Sequence, residues 1–142
     1  MTMTLVSEHR LRNDPAECQK LPEWIQTFSQ AVGLSNAAQN AFDLALVEWL
    51  TNVISYAYDD SQGHEILLRF FQGPEPGQAQ AEIRDDGKEF NPLKLPTPDV
   101  NAPLEDRPIG GLGIHLIRQL MDRVDYRRDG NVNILTLTRR CQ

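Results

Sequence analysis

The longest amphipathic pattern in the chain runs from Phe42 to Tyr58 and predicts a helix that begins at the capping residue Ser35. At 100° per residue one broad face is apolar, comprising Phe42, Leu46, Trp49, Leu50, Val53 and Ala57. The opposite face carries Glu48, Thr51, Asn52 and Ser55, with Leu44 among them. Because Glu48 and Asn52 are four residues apart, their side chains can reach one common point.

This helix is sparsely charged, since it contains no Lys or Arg and only Asp43 and Glu48 are ionised. Solvated helix faces normally carry charges of both signs. The pattern therefore predicts a helix covered on its second side, with Glu48 and Asn52 facing a cleft or a ligand. The alternative is an ordinary solvated face, because a Glu and an Asn four residues apart occur by chance in many helices.

Alternation of apolar and polar residues predicts strands elsewhere in the chain. The loop 73–77 predicts a hairpin between the second and third strands, and Asp129-Gly130 predicts a hairpin between the last two. The first strand has no fully apolar face, which suggests an edge position. The predicted strands are Met3 to Leu11, His64 to Phe71, Ala79 to Asp85, Val124 to Arg128 and Val132 to Arg139.

A second helix is predicted between the first two strands. Asp14, Pro15 and Glu17 have the order of a helix start, with Glu17 reaching back to the cap. Pro22 would break an intrahelical hydrogen bond, so we expect the robust helix from about Pro22 to Val32. Gly33 ends it.

Asp85 is an unusual residue at its position in the predicted strand, because it shares the parity of the apolar Ala81 and Ile83. Its carboxylate therefore points to the buried side of the sheet and needs a donor. Asp-x-Gly at a strand end leaves room for a ligand to supply that donor, since Gly87 allows close backbone approach. The alternative is that Asp85, Asp86 and Gly87 merely form a turn.

The segment from Phe90 to Pro108 has no periodicity and five prolines, and long segments of this kind are often lids or binding loops. It leads into Gly110-Gly111-Leu112-Gly113, a turn that opens another predicted helix. Unpaired backbone N–H groups and the helix dipole favour an anion such as phosphate there. A flexible hinge is the alternative. The apolar positions at helical spacing are Ile114, Ile117, Leu120, Met121 and Val124.

The length and the net charge of the chain limit the classes of function that it can have. A chain of 142 residues predicts one domain spanning residues 1–142, and a net charge of −6 argues against direct nucleic-acid binding. Cys18 and Cys141 lack metal-binding or redox spacing, which predicts a reduced, cytoplasmic protein. No secretory signal or membrane-spanning run is evident.

The motifs together resemble the Bergerat ATP-binding fold of the GHKL, or histidine kinase-like ATPase, superfamily. These motifs are Glu48-x3-Asn52 on a helix, Asp85-x-Gly87 at a strand end and Gly111-x-Gly113 opening a helix. Within that superfamily the chain is most similar to the anti-sigma factor serine/threonine-protein kinases. The segments FDLALVEWLTNVISYAY and GGLGIHLIRQLMDRVDY are particularly close to that group. The resemblance implies an α+β two-layer sandwich, with about five mainly antiparallel strands covered by three helices.

The resemblance also implies roles for individual residues. Asp85 would bind the adenine amino group of ATP, with Gly87 admitting the base. Asn52 would hold Mg²⁺ against the triphosphate, and Glu48 would accept the proton from the attacking hydroxyl. Residues of about 90–110 would form the ATP lid, and the phosphates would be wrapped by Gly111, Leu112 and Gly113.

The implied function is phosphorylation of a serine on a STAS-type anti-anti-sigma antagonist, together with sequestration of a sigma factor by a homodimer. The chain departs from the family pattern at Tyr56, where histidine is common, and at Ile109, where a basic residue is expected. Arg107 is further upstream, so the resemblance leaves open which side chain steadies the γ-phosphate. The competing hypotheses are a non-catalytic, nucleotide-dependent interaction switch and a detached kinase domain acting on histidine.

Overall fold

The structure is a computed structural model that describes residues 3–73, 75–94 and 111–142. Pro74 of the first hairpin loop and most of the predicted lid lie outside the described residues. Two short 3₁₀ helices span Pro15–Lys20 and Pro92–Lys94. The main elements are β1 (Thr4–Arg12), α1 (Leu21–Val32), α2 (Asn36–Tyr56), β2 (Glu65–Gln72), β3 (Gln78–Asp85), α3 (Gly111–Leu120), β4 (Arg123–Asp129) and β5 (Val132–Arg140).

The five strands form one sheet in the order β1-β2-β3-β5-β4, and every neighbouring pair in the described sheet is antiparallel. The predicted α+β fold, with about five strands covered by three helices, is confirmed, as is the edge position of β1. One face of the sheet joins the helices in the core, through residues such as Ile66, Leu68, Ile83 and Leu135. The other face carries ion pairs, including Arg84 with Glu82 at 2.8 Å.

Local capping explains where the helices begin and end. The Ser35 hydroxyl accepts a hydrogen bond from the Ala38 amide at 3.1 Å, which fixes the start of α2 as predicted. Helix α1 ends at Gly33, whose φ of 76° is the left-handed conformation that glycine adopts readily. Pro22 lies in the first turn of α1, where its missing N–H costs nothing.

Two details differ from the sequence predictions. Glu17 accepts a hydrogen bond from the Arg12 amide at 3.0 Å instead of closing a capping box on Asp14. Val124 does not continue α3, because the Asp122 amide already bonds to the Thr138 carbonyl of β5 at 2.9 Å. The chain has joined the sheet at that point, and Val124 lies on β4.

In the described residues no helix is long and apolar enough to cross a bilayer.

Candidate functional site

A cavity of about 430 Å³ lies between the C-terminal half of α2, the end of β3 and the start of β5. Its volume falls within the range of small-molecule sites, which also combine apolar walls with a few polar groups. The apolar and aromatic lining residues are Trp49, Val53, Tyr56, Ala57 and Phe90. The polar lining residues are Asn52, Asp85, Lys88, Glu89 and Asn133.

Asp85 is the buried carboxylate of this cavity, with 2% of its surface exposed. Its placement on the apolar side of β3 agrees with the sequence prediction. Its Oδ1 atom accepts hydrogen bonds from the Gly87 amide at 2.9 Å and from Asn133 Nδ2 at 3.0 Å. Burial raises the pKa of the Asp85 carboxyl, and these two hydrogen bonds act in the opposite direction. Both bonds from described residues end on Oδ1, so Oδ2 is the atom left to meet a donor from the cavity.

Gly87 lies where the end of β3 meets the end of α2. A Cβ atom at this position would lie 2.5 Å from the Ala57 Cβ and 2.7 Å from the Ala57 carbonyl oxygen. The next residue, Lys88, donates its amide to the same Ala57 carbonyl at 2.8 Å. Glycine is therefore required by the contact between strand and helix. Gly87 is not among the lining residues of the cavity, so the close approach of a base beside it stays a prediction.

Asn133 is a polar residue of the site that the sequence analysis missed. It is 3% exposed, and besides Asp85 its Nδ2 donates to the Lys88 carbonyl at 2.8 Å. Its Oδ1 accepts a hydrogen bond from the Tyr126 hydroxyl at 2.5 Å. The signal was present in the sequence, because Asn133 shares the parity of the apolar Leu135 and Leu137 on its strand. The same argument had selected Asp85.

Glu48 and Asn52 occupy successive turns of α2 and are both half-buried. Asn52 lines the cavity that contains Asp85, so the structure brings these two predicted residues together. Glu48 is not part of that lining. It contacts the first turn of α3, where a Cβ at Gly113 would lie 2.7 Å from Glu48 Oε2. Gly113 thus provides the space that the Glu48 carboxylate occupies.

The expectation that the whole polar face of α2 is covered was wrong. Thr51 and Ser55 are exposed, and so are the apolar side chains of Leu44 and Val47 on the same helix. Among the described residues, helix α3 covers the sector of α2 that contains Glu48.

The predicted helix is present, but it begins at Gly111 and includes Gly111 and Gly113 in its first turn. Its N-terminal end lies against the turn of α2 that carries Glu48. The positive end of the helix dipole attracts anions, and its backbone N–H groups can donate to them. Gly110, Ile109 and Arg107 lie outside the described residues.

The residues present suit ATP and a magnesium ion. A buried carboxylate is an acceptor for an amino group on a planar base, and the aromatic lining offers surfaces for that base. Asn52 provides an amide oxygen, a ligand type that Mg²⁺ accepts. Among the described residues no group of three or more His, Cys, Asp or Glu side chains could hold a metal.

An antiparallel sheet under three helices, with a ligand cavity at the end of the central helix, is the fold of the GHKL-type ATP-binding domains. The family profile described as Histidine kinase-like ATPase domain matches residues 11–139. The chain therefore belongs to the histidine kinase-like ATPase domain family.

Similar proteins include the serine-protein kinase RsbW of Bacillus mycoides (strain KBAB4), which is 31% identical over 113 residues. That match covers 72% of this chain and 69% of the relative. The serine/threonine-protein kinase BtrW of Bordetella bronchiseptica is 30% identical over 104 residues, covering 72% of each chain. The predicted resemblance to serine kinases of this group is confirmed.

A solved structure with the same fold contains the RsbU and RsbW domains of Rv1364c from Mycobacterium tuberculosis. The TM-score is 0.60 at 14% sequence identity, over 95% of this chain. The present chain spans about a third of that longer protein, since the match covers 32% of it. At this identity the similarity establishes the fold.

Proposed function

We propose that this protein is an ATP-dependent serine-protein kinase that acts by partner switching. It phosphorylates a serine on a small anti-anti-sigma antagonist of the STAS type, and it sequesters a sigma factor when that antagonist is unavailable. The protein thereby regulates transcription. It acts in the cytoplasm as a homodimer, and it contacts neither nucleic acid nor a membrane directly. The observation that supports the proposal most strongly is the presence of Asn52 and Asp85 on one cavity, with Glu48 one turn away.

Asp85 selects the base in this proposal. Its ionised carboxylate accepts a hydrogen bond from the adenine amino group, and a buried charge-assisted bond of this kind is strong. Gly87 keeps the backbone beside Asp85 free of a side chain. Because Asp85 is almost fully buried, the amino group of the ligand offsets part of the desolvation cost of that carboxylate.

The other predicted residues would hold the phosphates and a magnesium ion. Asn52 would supply one amide oxygen to the ion, and Gly111, Leu112 and Gly113 would present their backbone to the phosphates. Such an ion would neutralise charge that develops on the phosphate oxygens during transfer. Residues of about 90–110 act as the lid of this site, within a single domain that spans residues 1–142.

Glu48 acts as the general base. It takes the proton from the serine hydroxyl as that oxygen bonds to the γ-phosphorus and the bond to the departing ADP breaks. The carboxylate lies beside Gly113 at the start of α3. A positioned base of this kind contributes roughly 10²- to 10⁴-fold to the rate.

The decisive experiment is phosphoryl transfer from labelled ATP, with magnesium, to antagonist proteins captured from the source cell with and without ATP. We expect Glu48→Ala to lose about 10²-fold or more in transfer rate while it keeps its affinity for ATP. Asp43→Ala is the matched control, because it removes the other carboxylate of α2 and should transfer normally. Unchanged transfer in Glu48→Ala would refute the assignment of the base. A wild-type protein that binds ATP and the antagonist but transfers no phosphate is the non-catalytic switch.

A further inference from the structure

Three side chains from three strands form a continuous hydrogen-bonded chain behind the cavity. The Tyr126 hydroxyl of β4 donates to Asn133 Oδ1 of β5 at 2.5 Å, and Asn133 Nδ2 donates to Asp85 Oδ1 of β3 at 3.0 Å. Asn133 and Asp85 are directly opposite each other in the register of the two strands. Their relative position is therefore set by the sheet itself.

The acceptors around Asn133 decide which way its amide points. An asparagine side chain can turn over and exchange its oxygen with its nitrogen, but the Asp85 carboxylate and the Lys88 carbonyl can only accept, so they require Nδ2 on their side. The Asn133 oxygen then faces β4, where the Tyr126 hydroxyl donates to it. The tyrosine thus completes the hydrogen bonding of an amide that is already oriented.

We propose that Asn133, held by a hydrogen bond from Tyr126, is a positioning residue that fixes Asp85 as the hydrogen-bond acceptor for adenine. This inference rests on the proposed function, in which Asp85 contacts the base. Asn133 has its two N–H groups directed to Asp85 and to Lys88 and its oxygen occupied by Tyr126. It therefore acts on the nucleotide through Asp85.

Two consequences follow for the carboxylate. First, Oδ1 is occupied by Asn133 and by the Gly87 amide, which directs Oδ2 to the ligand. Second, the bond from Asn133 favours the ionised form against the cost of burial, so Asp85 stays an acceptor to lower pH than it otherwise would. A protonated Asp85 would present a donor to the adenine amino group, which is itself a donor.

Other charged or titratable groups lie near Asp85 or line the cavity, and they must be unchanged in a test. Arg128 of β4 favours the ionised form of Asp85 and donates to the Gly87 carbonyl at 2.8 Å, whereas Asp86 opposes that form. The hydroxyl of Tyr58 is kept neutral because burial raises its pKa. Lys88 and Glu89 line the cavity itself.

The test compares two near-isosteric variants with a matched control. Tyr126→Phe removes only the hydroxyl that donates to the Asn133 amide oxygen, and Asn133→Asp replaces the donor by a second carboxylate. Asn131→Asp makes the same change at an exposed residue of the same hairpin. Affinities for ATP and for inosine triphosphate, which has a carbonyl in place of the amino group, are measured by calorimetry with magnesium between pH 5 and 8.

We expect Tyr126→Phe to bind ATP about three- to tenfold more weakly, as for loss of one hydrogen bond. Asn133→Asp should lose tenfold or more, and its ATP affinity should begin to fall at a higher pH than in the wild type, because the bond that favours the ionised form of Asp85 is lost. Both variants should discriminate less between the two nucleotides, which a general loss of packing would not cause. Asn131→Asp should match the wild type.

This inference would be overturned if both variants kept wild-type ATP affinity, wild-type nucleotide discrimination and an unshifted pH profile. The proposed function would be unaffected by that result. If Asn133→Asp fails to fold, Tyr126→Phe decides by the same criteria. A wild-type protein that binds no ATP at any pH would overturn the inference and the proposed function together.

Discussion

The substitution Gly87→Ala tests whether the strand end beside the cavity depends on close packing against α2. The added methyl carbon would lie 2.5 Å from the Ala57 Cβ and 2.7 Å from the Ala57 carbonyl oxygen. Ordinary carbon contacts are about 3.5–4.0 Å, so one of the two segments must move by about 1 Å. Neither moves easily, because the Ala57 amide bonds to the Val53 carbonyl at 2.9 Å and the Ala57 carbonyl accepts from Lys88 at 2.8 Å.

Overpacking of this kind costs about 1–3 kcal/mol, and the backbone neighbours place Gly87→Ala toward the upper part of that range. For a chain of this size, we expect the melting temperature to fall by about 5–10 °C. The same displacement moves Asp85, because the Gly87 amide donates to its Oδ1 at 2.9 Å. ATP affinity should therefore fall by about tenfold or more.

Thermal unfolding by circular dichroism and ATP titration by calorimetry measure the two effects on the same samples. Gly63→Ala is the control, since a Cβ there would meet nothing within 4 Å. It should leave both quantities unchanged. If Gly87→Ala melted and bound ATP like the wild type, the contact between the end of β3 and α2 would not constrain the site, and the reasoning would be wrong.

Two further predictions concern the carboxylate of α2 and the loop after it. Gly113→Ala should slow phosphoryl transfer by about tenfold or more, because its methyl group displaces the Glu48 carboxylate; a wild-type rate would contradict this. It should destabilise the protein less than Gly87→Ala does, because a flexible carboxylate can move aside. The hydrogen bond to Asp60 at 2.8 Å raises the pKa of His64, with Asp86 also contributing. The protonated His64 therefore stabilises the folded state. This stabilisation is fully present below the unfolded-state pKa of His64 and is lost as pH rises through its higher folded-state pKa. Urea unfolding of the wild type and of His64→Gln gives the difference between their free energies of unfolding. This difference should decline as pH rises from about 6 to 8. A constant difference would exclude the mechanism.

Much of the fold was predictable because each element carries its own local signal. The Ser35 cap, the left-handed Gly33 and the Pro22 start are short-range effects that the sequence displays directly. The hairpin at Gly130 is another, since glycine alone of the described residues 129–132 has a positive φ, at 60°. Val124 was ambiguous because a β-branched residue fits both the helical spacing of α3 and the alternation of β4. Pairing with β5 decided between them.

The candidate site was predictable only in part. Period-two alternation placed Asp85 on the buried face, and spacing of four placed Glu48 with Asn52. Asn133 was missed because a lone asparagine in a strand has no motif around it, although its parity was informative. The role of Tyr126 depends on a hydrogen bond across two strands, and no sequence spacing specifies that contact.

By itself, the sequence determined the elements, their buried faces and the residue types available for ATP chemistry, because these depend on neighbours within a few positions. Only the tertiary structure decided which of those residues meet. Sheet register put Asn133 opposite Asp85, and packing of α3 on α2 put Gly113 against Glu48. Such contacts join residues far apart in the chain, and their geometry is fixed by how all the strands and helices pack at once.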